Sequence, residues 1–187
     1  TDANSGLINL GTLAVDGVVQ LTTNGSGNAT VVNDAGLNFA ASTVGGALNA
    51  TATTGNISDS GDLTIAGAST FITGASGSNI ILDSSGNAFS NAVTLKADAG
   101  GNETFGNITF VDSGAVDIDS SPGGNGDLFI NAGTDGAVGG NLSITATTGN
   151  ITDSNSLTVA GTSSFTTSAN NATIALDTTT NAFTGAV

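Results

Sequence analysis

Residues 45–93 read GGALNATATTGNISDSGDLTIAGASTFITGASGSNIILDSSGNAFSNAV, and residues 139–187 read GGNLSITATTGNITDSNSLTVAGTSSFTTSANNATIALDTTTNAFTGAV. Laid over one another 94 residues apart, without a gap, 28 of the 49 positions are identical. An in-register echo of this length marks a repeat architecture, in which each unit buries its apolar side against its neighbours. It also argues against an enzyme, because a catalytic constellation rarely needs two near-copies in one small chain.

Inside each period lie short apolar-x-apolar stretches closed by Gly or Asp. Examples are Leu13-Ala-Val-Asp-Gly17, Leu63-Thr-Ile-Ala-Gly67, Ile108-Thr-Phe110, Leu128-Phe-Ile130 and Leu157-Thr-Val-Ala-Gly161. Alternation with period two reads as half-buried strands, and the flanking Gly, Asn and Asp supply the turns. Nothing repeats at the i, i+3, i+4 spacing of an amphipathic helix. The chain reads as all β.

Leu48, Phe71, Val93, Val116, Leu142, Phe165 and Val187 occupy similar stretches, at separations of 23, 22, 23, 26, 23 and 22 residues. Four such steps fill one period of 94, so each step reads as one coil of a parallel β-solenoid (β-helix). About eight coils of roughly 23 residues, stacked ~4.8 Å apart, would make a rod on the order of 40 Å long. Weaker matches extend the pattern. Leu10–Val15 aligns with Phe105–Phe110 at an offset of 95, and Val44-Gly-Gly46 with Val138-Gly-Gly140 at 94. The expected organisation is one continuous solenoid over 1–187, with copies over approximately 1–93 and 94–187. Val187 falls in phase with Val93 and no Met opens the chain, so it reads as an interior window of a longer array or as one subunit of a head-to-tail stack. A tandem immunoglobulin-like stalk is the rival architecture. It explains the period of 94 but not the inner step of about 23, and there is no Trp or Tyr for a sandwich core.

Composition sets further bounds. Lys96 is the only basic residue against 15 acidic ones, a net charge of −14, and there is no Cys, Met, Trp, Tyr or His. Apolar residues make up 38% and mean hydropathy is +0.22, enough apolar surface for a core. Nucleic acids and anionic membrane surfaces need clustered Lys and Arg, so neither is an expected partner. No run of 18 apolar residues marks a membrane span. The absence of cysteine fits a cytosolic protein or an extracellular one stabilised without disulfides.

The phrases GNISDSGDLTIAGASTF and GNITDSNSLTVAGTSSF, followed by NAFSNAV and NAFTGAV, resemble the repeat array of filamentous-hemagglutinin-like bacterial exoproteins, secreted adhesins of the two-partner type. The similarity is strong over 45–93 and 139–187 and weaker over 1–44 and 95–138. It implies a right-handed parallel β-helix, export to the cell surface, and work in adhesion, aggregation or matrix building. It brings no catalytic residues with it.

The residue motifs read the same way. Gly123-Gly-Asn-Gly-Asp127-Leu-Phe-Ile130 approaches the calcium nonapeptide of β-rolls, but its Asp arrives one residue early and no second consecutive copy follows. A Gly-rich turn is the preferred reading; isolated calcium binding by the acidic surface is only weakly specified. Asp59 and Asp153, like Asp83 and Asp177, recur at 94. Paired carboxylates serve glycoside hydrolysis, yet no His or Arg shapes a site around them, and turn-stabilising roles fit short acidic side chains better. Asn56 and Asn150, with Asn87 and Asn181, suit hydrogen-bonded ladders along the axis. Nine N-x-S/T sequons occur, Asn24, Asn107 and Asn171 among them, close to the number that so Asn-, Ser- and Thr-rich a chain produces by chance. Thr51–Thr54, Thr145–Thr148 and Thr178–Thr180 raise an ice-binding reading, although they appear once per period rather than once per coil. Phe71, Phe89, Phe165 and Phe183 are expected inside the coil as an apolar stack.

These observations make the expected protein a structural, extracellular segment of a bacterial surface adhesin or fibre. No catalytic, cofactor-binding or metal-binding residue is assigned. The expected partners are further copies or further repeats end to end, and a glycan or host-surface receptor.

Overall fold

The computed structural model describes residues 4–97, 105–119, 127–130 and 137–187. Pro122, Glu103 and the Gly123–Gly126 part of the calcium-like motif lie outside them.

Every paired strand runs parallel to its neighbour, and the strands stack into a β-solenoid. Two broad sheets of nine and seven strands face one another, and two sheets of three short strands lie at the edges. Inward positions carry the core. In Leu48–Ala52 residues 48, 50 and 52 are buried while Asn49 faces solvent, and Ala29–Asn33, Val93–Ala97 and Leu142–Ala146 alternate in the same way. Parallel strands closed into a coil must satisfy every backbone group with the coil above and below, which this stacking does. Phe39, Phe71, Phe89 and Phe110 form a connected chain through the interior, with ring centroids 6.3, 6.1 and 5.2 Å apart, and Phe165 meets Phe183 at 5.9 Å. The aromatic stack expected from the sequence is present. The parallel pairing rules out an immunoglobulin-like sandwich, whose sheets are antiparallel.

From Ala29–Asn33 onward, three coils of the first copy each have a long strand, a middle strand and a short closing strand. One such coil is Leu48–Ala52, Ile57–Asp59 and Leu63–Ile65. Cα partners along the long strands run Ile8, Ala29, Leu48, Ser69 and Val93, steps of 21, 19, 21 and 24 residues. The coil is therefore about 21 residues, slightly shorter than the step of 23 read from the sequence, and the rod has about seven turns.

The second copy is turned relative to the first. Through Val93–Ala97 the long strands lie in the nine-stranded sheet and the middle strands in the seven-stranded one. The next long strand, Ile108–Asp112, starts only 15 residues after Val93 and stacks on the middle strand Ile80–Leu82, pairing Ile80 with Ile108 and Leu82 with Phe110. From there Leu142–Ala146 and Ser163–Thr167 continue in the seven-stranded sheet. The middle strands Val116–Asp119, Ile151–Asp153 and Ile174–Ala175 now occupy the nine-stranded one. Because every strand in a sheet points the same way, the chain keeps one sense of winding. The closing strands therefore change edge, which is why they form two separate sheets. Val116 thus opens a middle strand and is not the long-strand equivalent of Leu48 that even spacing suggests. Residues 28–39 (NATVVNDAGLNF) are the structural match for 107–118 (NITFVDSGAVDI), in place of the offset of 95 read for Leu10–Val15.

One strand has no counterpart in the first copy. Asp127–Ile130 sits between Val93–Ala97 and Val116–Asp119, although it follows both in sequence. It fills the layer that the turn would leave open. Leu128 and Ile130 are 2% and 0% exposed.

Candidate functional site

The residues that repeat at 94 are coil-to-coil braces. Asn56 immediately precedes Ile57, and its side-chain carbonyl accepts the backbone N–H of Asn79, one coil up, at 2.8 Å. Asn79 accepts in turn from Asn107 at 2.7 Å, Asn107 from Asn141 at 2.8 Å, and Asn141 from Thr162 at 2.8 Å. This is an asparagine ladder along the corner that leads into the seven-stranded sheet. Asn28 and Asn150 make single rungs on the other broad sheet, to Ala47 and Thr173. The ladder expected for Asn56 exists, and Asn150 repeats the rung on the opposite sheet. Asn28, Asn107 and Asn141 join them, flagged in the sequence by an Asn just before an apolar-x-apolar stretch. The same pattern creates sequons at 28, 56, 107, 141 and 150, because the rung residue is followed by an inward apolar residue and an outward Ser or Thr.

Asn87 and Asn181 belong elsewhere. Asp59 is 9% exposed; its carboxylate accepts the backbone N–H of Asp83 at 2.9 Å and of Ser84 at 3.4 Å, and the Asn87 amide at 2.7 Å. Asn87 is fully buried and accepts the N–H of Leu63 at 2.8 Å. The second copy rebuilds the knot. Asp153 accepts from Asp177 at 2.9 Å, from Thr178 and from Asn181, and Asn181 accepts from Leu157 at 2.7 Å. Asp83 and Asp177 contribute backbone N–H groups, while their own side chains are exposed. A carboxylate with its lone pairs filled by fixed donors is a brace for a turn, the role read from the sequence for all four acids and taken here by Asp59 and Asp153.

Asp112 is a third buried acid. It is 6% exposed, accepts the N–H of Phe89 at 3.1 Å, and sits at the inward position held by Asn33 in the first copy. Burial raises its pKa above the ordinary carboxylate value of 3.8, opposed by backbone hydrogen bonds from Phe89, Gly114 and Ser113.

The threonine pairs also point down the rod. The Thr53 and Thr54 hydroxyls donate to the Asp34 carbonyl at 2.8 and 2.7 Å, and Thr147 and Thr148 donate to the Ser113 carbonyl. Hydroxyls committed to the coil below are not a free water-ordering array. Glycines form two corner columns. The N–H of Gly67 bonds Gly46 O and that of Gly46 bonds Gly27 O, both at 3.0 Å; Gly161 bonds Gly140 O at 3.1 Å. A Cβ on Gly67 would lie 2.4 Å from the Gly46 carbonyl carbon, and one on Gly161 2.5 Å from Gly140 O. The first column leads into the nine-stranded sheet and the second into the seven-stranded one, following the long strands through the turn.

Two surface cavities lie beside the first coils. One of about 240 Å³ is bordered by Asp16, Asn38, Asn56 and Ser58, and one of about 350 Å³ by Thr12, Val32, Asp34 and Thr53. Among the described residues no group of three or more acidic, His or Cys side chains is placed to hold a metal ion. Among the described residues no helix is long and apolar enough to cross a membrane.

Stacked parallel coils, an asparagine ladder, glycine columns and buried acid–amide knots define a β-solenoid repeat protein. The chain belongs to the family described as repeats of unknown function (DUF5649), which matches residues 26–96 and 105–187. Comparison with curated proteins and with solved structures gives no significant match. The first matched segment ends at residue 96, within Val93–Ala97, and the second begins at residue 105, just before Ile108–Asp112.

Proposed function

We propose that this chain is a structural rod: a segment of a secreted bacterial surface adhesin or fibre that works in attachment, aggregation or matrix building and carries no catalytic activity of its own. The observation that carries the reading is the pair of uninterrupted parallel sheets, nine and seven strands deep, closed on one apolar interior. Such a body is stiff, because each coil is stabilised only by its neighbours and bending opens backbone ladders. Its polar side chains go mainly to bracing. The outward rows, such as Thr30, Asn49, Thr70 and Thr94 on successive coils, offer a long repetitive surface to a glycan or to a receptor on another surface. The likeness of GNISDSGDLTIAG and GNITDSNSLTVAG to filamentous-hemagglutinin-like repeats supports the extracellular assignment. The net charge of −14 suits a soluble rod that avoids nucleic acid.

Electron microscopy and fibre diffraction of the native material test the proposal. Rods on the bacterial surface with an axial spacing of ~4.8 Å are expected. Compact particles confined to the cell interior would overturn it.

A further inference from the structure

We propose that the cleft at the foot of the asparagine ladder binds the acetamido group of an N-acetylated amino sugar. The cleft, of about 240 Å³, crosses three coils: Asp16 borders it on the first, Gly36 and Asn38 on the second, Asn56 and Ser58 on the third. Three observations point to an amide there. The ladder stops one rung short. The backbone N–H groups of Asn79, Asn107, Asn141 and Thr162 each meet the side-chain carbonyl of the asparagine one coil below. Asn56 holds the same corner, but beneath it lies Gly36, which has no side chain to accept its N–H. A Cβ on Gly36 would sit 3.5 Å from the Asn56 nitrogen. Next, the Asn38 side-chain oxygen is buried with no hydrogen-bond partner among the described residues. An orphaned buried acceptor is a standing cost until a donor reaches it, and the broad terminal torsion of Asn lets the oxygen turn towards one. Finally, the second copy satisfies the matching acceptor from within. There Ala115 replaces Gly36 and Asp117 replaces Asn38, and the Asp117 carboxylate accepts the hydroxyls of Thr152 at 3.0 Å and Ser154 at 2.5 Å.

The ligand chemistry follows from what each group offers. Asn56 presents a donor and Asn38 an acceptor, so the ligand carries one of each. An ammonium group would leave the Asn56 N–H unmet. A carboxylate would leave the Asn38 oxygen unmet and would also face the carboxylate of Asp16. A secondary amide has a carbonyl for Asn56 and an N–H for Asn38, and its carbonyl reproduces the rung made on the coils above. The acetamido methyl meets Val15 and Ala35, and the sugar hydroxyls reach Ser58 and Asp16. The volume lies below the roughly 300–1,000 Å³ of a drug-sized site and suits a single sugar residue. Binding here does not depend on where the rod is exported, so the cleft and the surface-fibre reading can fail separately.

The test is an amide-detected NMR titration of the isotopically labelled chain with N-acetylglucosamine, glucose and N-methylacetamide. N-acetylglucosamine should shift the Asn56 backbone and Asn38 side-chain signals saturably, and glucose should leave them in place. N-methylacetamide should shift the same signals with an affinity about tenfold weaker. Gly36→Asn supplies the lowest rung from the chain itself and should abolish binding, while Asn38→Ala should weaken it about tenfold. Should Gly36→Asn fold poorly by circular dichroism, Asn38→Ala reads the same site. No shift at Asn56 with N-acetylglucosamine, or unchanged binding in the variants, would overturn the site. An equal response to glucose would overturn amide recognition. Equal affinity for N-methylacetamide would overturn the sugar as the carrier of the amide.

Discussion

The side-chain carbonyl of Asn79 accepts the backbone N–H of Asn107 at 2.7 Å, although Asn79 introduces a middle strand and Asn107 a long one. That rung carries the ladder through the turn between copies. Both strand types open with the same device, an Asn before an inward apolar residue, so one docks on the other without a break in the corner. Backbone pairing does not read side-chain identity; it needs matched direction, spacing and inward parity. Ile80 and Ile108 supply all three.

The ladder should be measurable rung by rung. Asn107→Ala removes the acceptor for Asn141 N–H and is expected to cost about 1 kcal/mol, lowering Tm by roughly 2–4 °C in a chain of this size. Exposed Asn49→Ala on the outward row should move it by less. Thermal unfolding followed by far-ultraviolet circular dichroism separates the two; equal effects would remove the ladder as a stabilising element.

The glycine columns are a steric requirement. At Gly67 a methyl group would meet the Gly46 carbonyl carbon at 2.4 Å and the Ala47 nitrogen at 2.6 Å, whereas at Gly17 it would meet nothing within 4 Å. Gly67→Ala should therefore destabilise by about 1–3 kcal/mol and Gly17→Ala should be close to neutral. Urea unfolding midpoints of the two variants provide the comparison.

Asp112 gives the rod a pH dependence of defined sign. Its folded-state pKa is raised by burial, so the folded chain holds this proton more tightly than the unfolded chain. The group's contribution therefore falls as pH rises through the raised native value and is recovered as pH drops towards 3.8. Asn33 shows that an amide is accepted at the equivalent position, where it makes three hydrogen bonds. Asp112→Asn should raise Tm at pH 7, measured by thermal unfolding. The gain should shrink as pH is lowered through the native pKa. A gain that is constant with pH would contradict the buried-acid account.

Asp59 and Asn87 should behave as one unit. Removing Asp59 strands the N–H groups of Asp83 and Ser84 and the amide of Asn87 together. Asp59→Ala and Asn87→Ala are each expected to cost about 1–3 kcal/mol, with a coupling of about 0.5–3 kcal/mol in the double variant. Additive losses would show that the hydrogen bond between them carries no stability.

Much of this architecture is legible in the chain itself. Leu48-x-Ala50-x-Ala52 announces its inward face by alternation, Asn56 and Asp59 announce themselves by recurrence, and the phenylalanines fall where a solenoid core needs them. The turn between copies is hidden for a physical reason. The echo at 94 compares Leu48 with Leu142, which are alike in sequence but lie in different sheets. A sequence period records which strand follows which; it does not record which sheet receives it. The signal that does so is a shortage: 15 residues separate Val93 from Ile108 where a coil needs about 21. Asp112 is hidden similarly, since its first-copy equivalent is Asn33 and the match at an offset of 79 rests on pattern rather than identity.

The claim that the second copy is turned by part of a coil within one continuous rod is tested most directly by a pair of cysteine variants. Strand neighbours ~4.8 Å apart lie within the Cα range of a disulfide, about 4.4–6.8 Å. In the turned arrangement Ile108 sits on Ile80; in an unturned solenoid it would sit on Val93. Ile80→Cys/Ile108→Cys should close quantitatively within the chain under mild oxidation, and Val93→Cys/Ile108→Cys should remain as free thiols. The reverse pattern would contradict the account.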